Sequence, residues 1–433
     1  MSFSMTGDSL IMKHLPANYD GFQEVADFIG QAEARITNLE TTLTRGNRYG
    51  SAFSGGTWLT VEPEILDDLA TFGFNIYGCA NNHTLDYSYL GLMDTLKFLR
   101  EANVVFAGIG ENLHEASRAA AAELPSARVG LISLCSCFEP SARAGAQTPY
   151  MPGRPGLNPL RFKTQYTVTP EHFKALGEIG EATGINLISS FEQKQGFAPM
   201  DPPGTMRFGK DIFVQGEKEG RFTIPNQNDV ERTVKGIQDA LRTMDYVAVM
   251  IHSHEMKWDK PCQADYFMED FAHKCIDAGA CAVIGGGTHQ LKGIEIWHGK
   301  PIFYSLGNFI FQNEYVKVLP ADYMEKHSFP LDYTASQGIA GRSALAKPGF
   351  CMHENIWNFL SVIPYFELDG DKCSDISLLP IGLGLDRCTY LRNLPHPASL
   401  DDARKIYDYL CDASKPYGTK LTLGEDGKIT VAV

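Results

Sequence analysis

Ile76-Tyr77-Gly78-Cys79-Ala80-Asn81-Asn82-His83-Thr84-Leu85-Asp86-Tyr87 passes from an apolar segment straight into a polar cluster. Phe74 to Cys79 reads as a strand, and Leu92, Leu96 and Leu99 recur at helical spacing after it. The same order of events repeats outward along the chain. Asp8 follows Phe3-Ser4-Met5, and Glu40 follows Ile36-Thr37-Asn38-Leu39. His252-Ser253-His254-Glu255 follows Val247 to Ile251, and Gly287-Thr288-His289 follows Val283-Ile284. Short strands alternating with amphipathic helices define a layered α/β fold. In such folds ligands bind beyond the carboxyl ends of the strands. Clusters of Asp, Glu, Asn and His at five strand ends therefore predict one active site that gathers Asp8, Glu40, Asn82, His83, His252 and His289.

The periodicity predicts helices through Val25 and Ile29, through Ile65 and Leu69, and through Val234, Ile237 and Leu241, with another around Phe267, Phe271 and Cys275. Strands are expected at Ala34–Leu39, Val104–Ala107, Val129–Leu134, Tyr246–Ile251, Ala280–Ile284 and Pro301–Ser305. The whole chain, 1–433, reads as a single domain carrying two irregular stretches. Residues 138–228 are rich in Pro and Gly and read as an insertion or lid, with a helix near 170–182 and Phe162, Tyr166, Phe191 and Phe197 as anchors. Residues 313–355 form the second. Residues 356–433 are expected to complete the core with an antiparallel strand pair, a helix and a hairpin turning at Asp426-Gly427.

The composition, 44% hydrophobic and 21% charged over 433 residues, is that of a chain able to bury its own core. A net charge of −14 argues against a nucleic-acid partner and against docking on an anionic membrane. Ten cysteines without a CxxC pair fit a reducing compartment. The N-terminal residues carry no basic, apolar leader, and no apolar run is long enough to span a bilayer. The expected setting is cytoplasmic, with a small-molecule or peptide-like substrate and a homo-oligomer as an option.

Each polar residue also has a structural alternative. Asp8 can satisfy a turn, Glu40 can be a solvated strand end, and Asn82 can cap the following helix with His83 in its first turn. His252 and His254, at i and i+2 on an extended chain, suit either paired ligands or a polar sheet face. His289, after three glycines that let the backbone approach a ligand, is the strongest single signal. Arg143, Arg154 and Arg161 fit an acidic substrate, but solvated loop arginines are the favoured reading.

Thr6-Gly7-Asp8, Thr37-Asn38-Leu39-Glu40, Ala80-Asn81-Asn82-His83-Thr84-Leu85-Asp86-Tyr87, Val283 to Leu291 and Pro301 to Phe309 resemble the CapA family of poly-γ-glutamate capsule synthesis, within the calcineurin-like metallophosphoesterase superfamily. The resemblance implies a four-layer α/β sandwich, with two central mixed sheets flanked by helices. It also implies metal ligands at Asp8, Glu40, Asn82, His252 and His289, with Glu40 bridging two sites. His83 takes the place of the leaving-group acid and Asp86 that of the residue orienting it; Asn308, in the Ser-Leu-Gly-Asn-Phe run, is the expected substrate contact. Leu10 and Gly287 stand where histidine ligands usually sit, and His254 is a candidate replacement, with Glu255 beside it.

Two chemistries follow from these residues. With a Mn, Zn or Fe ion bound, the site would hydrolyse a phosphorylated, glutamyl or peptide-like substrate, with His83, Asp86, His254, Glu255 and His289 as catalytic candidates. Without metal, His289 and Asp8 would face each other as the acid–base pair of an epimerase or racemase. A non-catalytic scaffold in capsule synthesis is the third expectation.

Overall fold

The computed structural model describes residues 1–46, 48–258 and 260–433. Its central strands are buried on both faces, and side-chain alternation shows why. In the strand Tyr246–Ser253, Val247, Val249 and Ile251 pack on one side, while Ala248 and Met250 pack on the other. Two opposite apolar faces require a layer against each.

The first sheet has eleven strands. Its centre is parallel: β1 (Ser2–Leu10), β2 (Ala34–Leu39), β3 (Ile76–Gly78) and β4 (Val105–Ala107) pair in that order. On its other side β1 pairs antiparallel with Leu360–Asp369, which pairs antiparallel with Ile376–Gly382. The second sheet has six strands. Its parallel centre comprises β5 (Arg128–Cys135), β6 (Tyr246–Ser253), β7 (Ala282–Gly287) and β8 (Lys300–Phe303). Antiparallel edges make both sheets mixed.

Phe3, Met5, Ile36 and Ile76 from the first sheet meet Leu131, Met250, Ile284 and Phe303 from the second in one apolar layer. Helices Phe22–Gly30, Ile65–Ala70 and Ser88–Glu101 cover the outer face of the first sheet. Helices Gln227–Ala240 and Tyr266–Asp277 cover that of the second. The order is helix, sheet, sheet, helix, which is the expected α/β sandwich. The helix Leu400–Ser414 adds Ile406 and Leu410 to the layer between the sheets. No described helix is long and apolar enough to cross a membrane.

The two stretches expected to be irregular contain regular structure. Within 138–228, Phe162–Val168, Thr205–Phe208, Asp211–Gln215 and Gly220–Pro225 form a four-stranded sheet, beside helices Pro170–Thr183 and Leu187–Lys194. Within 313–355 lie helices Ala321–His327 and Ala335–Leu345. Phe162 stacks on Phe267 of the core with ring centroids 4.4 Å apart, as an anchor should. Phe191 and Phe197 do not anchor; they are 59% and 81% exposed. Arg161 is not a loop arginine in solvent. It grips the fully buried Asp229 through two guanidinium contacts at 2.8 Å, and Arg232 adds a third at 2.6 Å.

Candidate metal centre

The site begins with an irregularity in β1. Phe3 and Met5 face the second sheet, so strict alternation would send Gly7 that way and turn Asp8 towards the helices. The pairing register shifts between Met5 and Asp8 and sets Asp8 opposite Asn38, two residues on from the inward-facing Ile36. The bulge re-aims the carboxylate into the sandwich. Asp8 Oδ1 accepts from Asn38 Nδ2 at 2.7 Å, and Oδ2 accepts from the Gly287 N–H at 2.8 Å.

That geometry explains the glycine run. A Cβ on Gly286 would stand 2.6 Å from Asp8 Oδ1, and Gly287 adopts φ +109°. The backbone passes close to a protein carboxylate, not to the ligand expected from the sequence. Leu10 is equally structural, since its side chain packs in the core beneath the first helical layer.

Glu40 lies just beyond β2, on the side of Asn38 by alternation. It is fully buried, and among the described residues neither carboxylate oxygen has a hydrogen-bond partner. Its neighbours are imidazoles, with His252 Nε2 at 3.5 Å and His83 Nε2 at 3.8 Å. His252 continues the inward-facing series of Ala248 and Met250. Its Nδ1 lies 3.4 Å from Asp8 Oδ1, while its Nε2 is buried and unpartnered.

Among the described residues, three triads have potential ligand atoms within 4.8 Å of one another: Asp8–Glu40–His252, Glu40–His254–His289 and Cys137–His252–His254. Glu40 belongs to two of them. His254 Nε2 is unpartnered as well, and so is Asn82 Oδ1; Asn82 Nδ2 donates to Gly55 O at 3.3 Å. His289 adopts φ +59°, a strained conformation for a residue with a Cβ. Its Nδ1 sits 2.8 Å from Asn308 Oδ1. Alongside, His83 Nδ1 lies 2.6 Å from Asp86 Oδ2, which also accepts from Leu59 N. Asn82, Asp86, Cys137 and His254 line a cavity of ≈ 260 Å³ that gives access to the centre.

The electrostatics follow from burying unlike charges together. Burial would raise Asp8, but His252, His289 and Asn38 hold it well below the usual carboxylate range. Burial, with Asp8 and Asp86 nearby, pushes Glu40 well above its usual value despite His252. Burial acts against protonated His252, yet Glu40 and Asp8 raise it well above an ordinary histidine. Burial lowers His254 and His289.

The structure thus brings Asp8, Glu40, His83, Asp86, His252, His254 and His289 together, with Asn82 at the cavity wall. Two expectations do not match the geometry. Glu255 belongs to none of the triads, and its Oε2 accepts from the Ser136 and Ser253 hydroxyls at 2.7 and 2.8 Å. Asn308 uses its oxygen on His289 and its amide on the backbone oxygens of His289 and Asn358, so it holds His289 and has no group left for substrate. Asn38, Asn81 and Cys137 were not among the expected site residues. Asn81 donates to Leu39 O at 2.8 Å and Asn38 Oδ1 at 3.3 Å, tying the ends of β2 and β3 together. Asn38 could have been found from its position two residues before Glu40, and Cys137 from its place just past β5.

Residues 2–313 match the family described as bacterial capsule synthesis protein PGA_cap. The chain belongs to this family, the CapA family of the metallophosphoesterase-like superfamily. "Uncharacterized protein y4sH" of Sinorhizobium fredii is 31% identical over 96% of this chain and 90% of its own length. "Capsule biosynthesis protein CapA" of Bacillus anthracis is 22% identical over 76% of this chain and 64% of its own. "Probable polyglutamine synthesis accessory protein Rv0574c" of Mycobacterium tuberculosis is 24% identical over 64% of this chain and 54% of its own. A solved structure of a hypothetical protein from Thermus thermophilus aligns with a TM-score of 0.38 at 12% identity, over 88% of this chain and 98% of that one.

Proposed function

We propose that this protein is a metal-dependent hydrolase whose substrate is a phosphorylated, glutamyl or other peptide-like molecule of the kind handled in capsule polymer synthesis. The observation that carries the reading is Glu40. A fully buried carboxylate with two unpartnered oxygens costs several kcal/mol unless something of opposite charge satisfies it. The unpartnered atoms of His252, His254 and Asn82 add donors of the type that divalent Zn, Mn or Fe accepts. Asp8, Glu40 and His252 would hold one ion, and Glu40, His254 and His289 a second. In this grouping His254 takes over the role lost at Gly287.

A divalent cation at this centre would supply Lewis acidity and the charge that activates water for attack. The chain's own residues do the rest. Asp86 fixes the His83 ring through Nδ1, so that Nε2 is the atom left to protonate the leaving group. Asn308 holds His289 from behind, and Asn38 with Gly287 N–H orients Asp8. The metal-free epimerase pairing of His289 with Asp8 is the less favoured reading, because His289 Nδ1 is held by Asn308 and both Asp8 oxygens already accept from Asn38 and the Gly287 N–H.

Purified protein should release product from an aryl phosphate or a γ-glutamyl anilide. It should lose that activity to a chelator and regain it with Zn²⁺ or Mn²⁺. Full activity after complete removal of metal, or no turnover of either probe by the fully metal-loaded protein, would contradict the proposal.

A further inference from the structure

Cys137 forms a thiol-bearing third side to the centre. It lies two residues past the end of β5 and lines the access cavity with His254 and Asn82. Its Sγ and one ring nitrogen each of His252 and His254 lie within 4.8 Å of one another. Both imidazoles have a buried, unpartnered Nε2, and His252 is only 1% exposed. The nearest sulfur is Cys135 Sγ at 3.8 Å, and the two thiols form no disulfide. A half-buried sulfur placed beside two unsatisfied imidazoles differs from the buried Cys275 and Cys281, which sit in apolar packing.

We infer that Cys137 is a metal ligand of this protein, a thiolate donor between His252 and His254 that biases the centre towards Zn²⁺ over Mn²⁺ or Mg²⁺. The inference rests on the metal-centre reading above and specifies it. Carboxylate and imidazole donors alone accept many divalent ions, whereas a thiolate selects softer ones. Zinc–sulfur and zinc–nitrogen bonds of about 2.3 and 2.0 Å set donor atoms roughly 3.5 Å apart, so donors now within 4.8 Å of one another would close by at most about 1.5 Å on binding. Coordination transfers the thiol proton to solvent and leaves the sulfur's oxidation state unchanged.

Cobalt(II) substitution under reducing conditions tests this without relying on activity. Parent protein and Cys135→Ser should both show near-ultraviolet thiolate-to-cobalt charge-transfer absorption together with visible ligand-field bands. Cys137→Ser should lose the charge-transfer band and keep the visible bands, and its preference for Zn²⁺ over Mn²⁺ should fall by roughly tenfold or more. A Cys137→Ala variant with the parent's melting temperature guards against a folding artefact. Visible bands without charge transfer in the parent, or charge transfer that survives in Cys137→Ser, would overturn the assignment of Cys137 while leaving the metal centre standing. No bound cobalt at all would overturn both.

Discussion

Glu40 and Asn308 show how much of this site depends on single atoms. Replacing Glu40 by Gln removes the charge shared by two triads but keeps the shape. Activity and metal affinity should fall by at least about 100-fold. The metal-free variant should melt no lower than the metal-free parent, because a neutral amide replaces a buried carboxylate with no partner. Chelator-treated thermal melts and metal titration check both halves. Asn308→Ala acts differently. It frees the His289 ring and leaves two backbone oxygens without their donor, for a cost of about 1–3 kcal/mol. Because Asn308 holds His289 rather than substrate, kcat should fall with little change in KM, and steady-state kinetics would show the split.

At the level of elements, strand ends do the positioning, and this was largely legible in the sequence. Apolar segments ending in Asp8, Glu40, Asn82-His83, His252 and His289 announced their common destination. The bulge in β1 was not legible, because register depends on what the neighbouring strand offers, here Asn38 opposite Asp8. The glycine run was seen but assigned to the wrong neighbour. Its third member needs a positive φ, while its second must make room for Asp8. Gly286→Ala should therefore destabilise the fold by about 1–3 kcal/mol and weaken metal binding, as it would drive a methyl group into the Asp8 carboxylate. Denaturant midpoints with and without metal measure both effects. The small sheet within 138–228 escaped notice because its strands are short and only half-buried, so their alternation is weak. Pro and Gly in the turns then dominated the pattern.

Across the whole molecule, the inserted sheet is tied to the core by the Arg161–Asp229–Arg232 cluster. Burial would raise Asp229, but the two guanidinium groups hold it below the ordinary value of 3.8. A carboxylate lowered on folding contributes stability that is fully present above its unfolded value and is lost as pH falls through its folded one. The contribution should therefore be complete at neutral pH and fade below about pH 4. Asp229→Asn should cost about 1–3 kcal/mol at pH 7, where it leaves two partly solvated guanidinium groups without their counter-charge, and much less in strong acid. Urea denaturation of both proteins across that pH range gives the comparison. The same scale joins the fold to the chemistry, because the two sheets deliver their donors to one place only while they stay packed. Asp8 and Glu40 come from the first sheet, and His252, His254 and His289 from the second.

The claim that Glu40 is buried to hold a cation can be examined directly by anomalous diffraction from crystals of the protein as purified, with data at the Zn, Mn and Fe edges. The account predicts one or two peaks within bonding distance of a Glu40 oxygen, shared with His252 on one side and with His254 and His289 on the other. A well-ordered Glu40 hydrogen-bonded to protein or water, with no anomalous peak beside it even after soaking in metal, would contradict it.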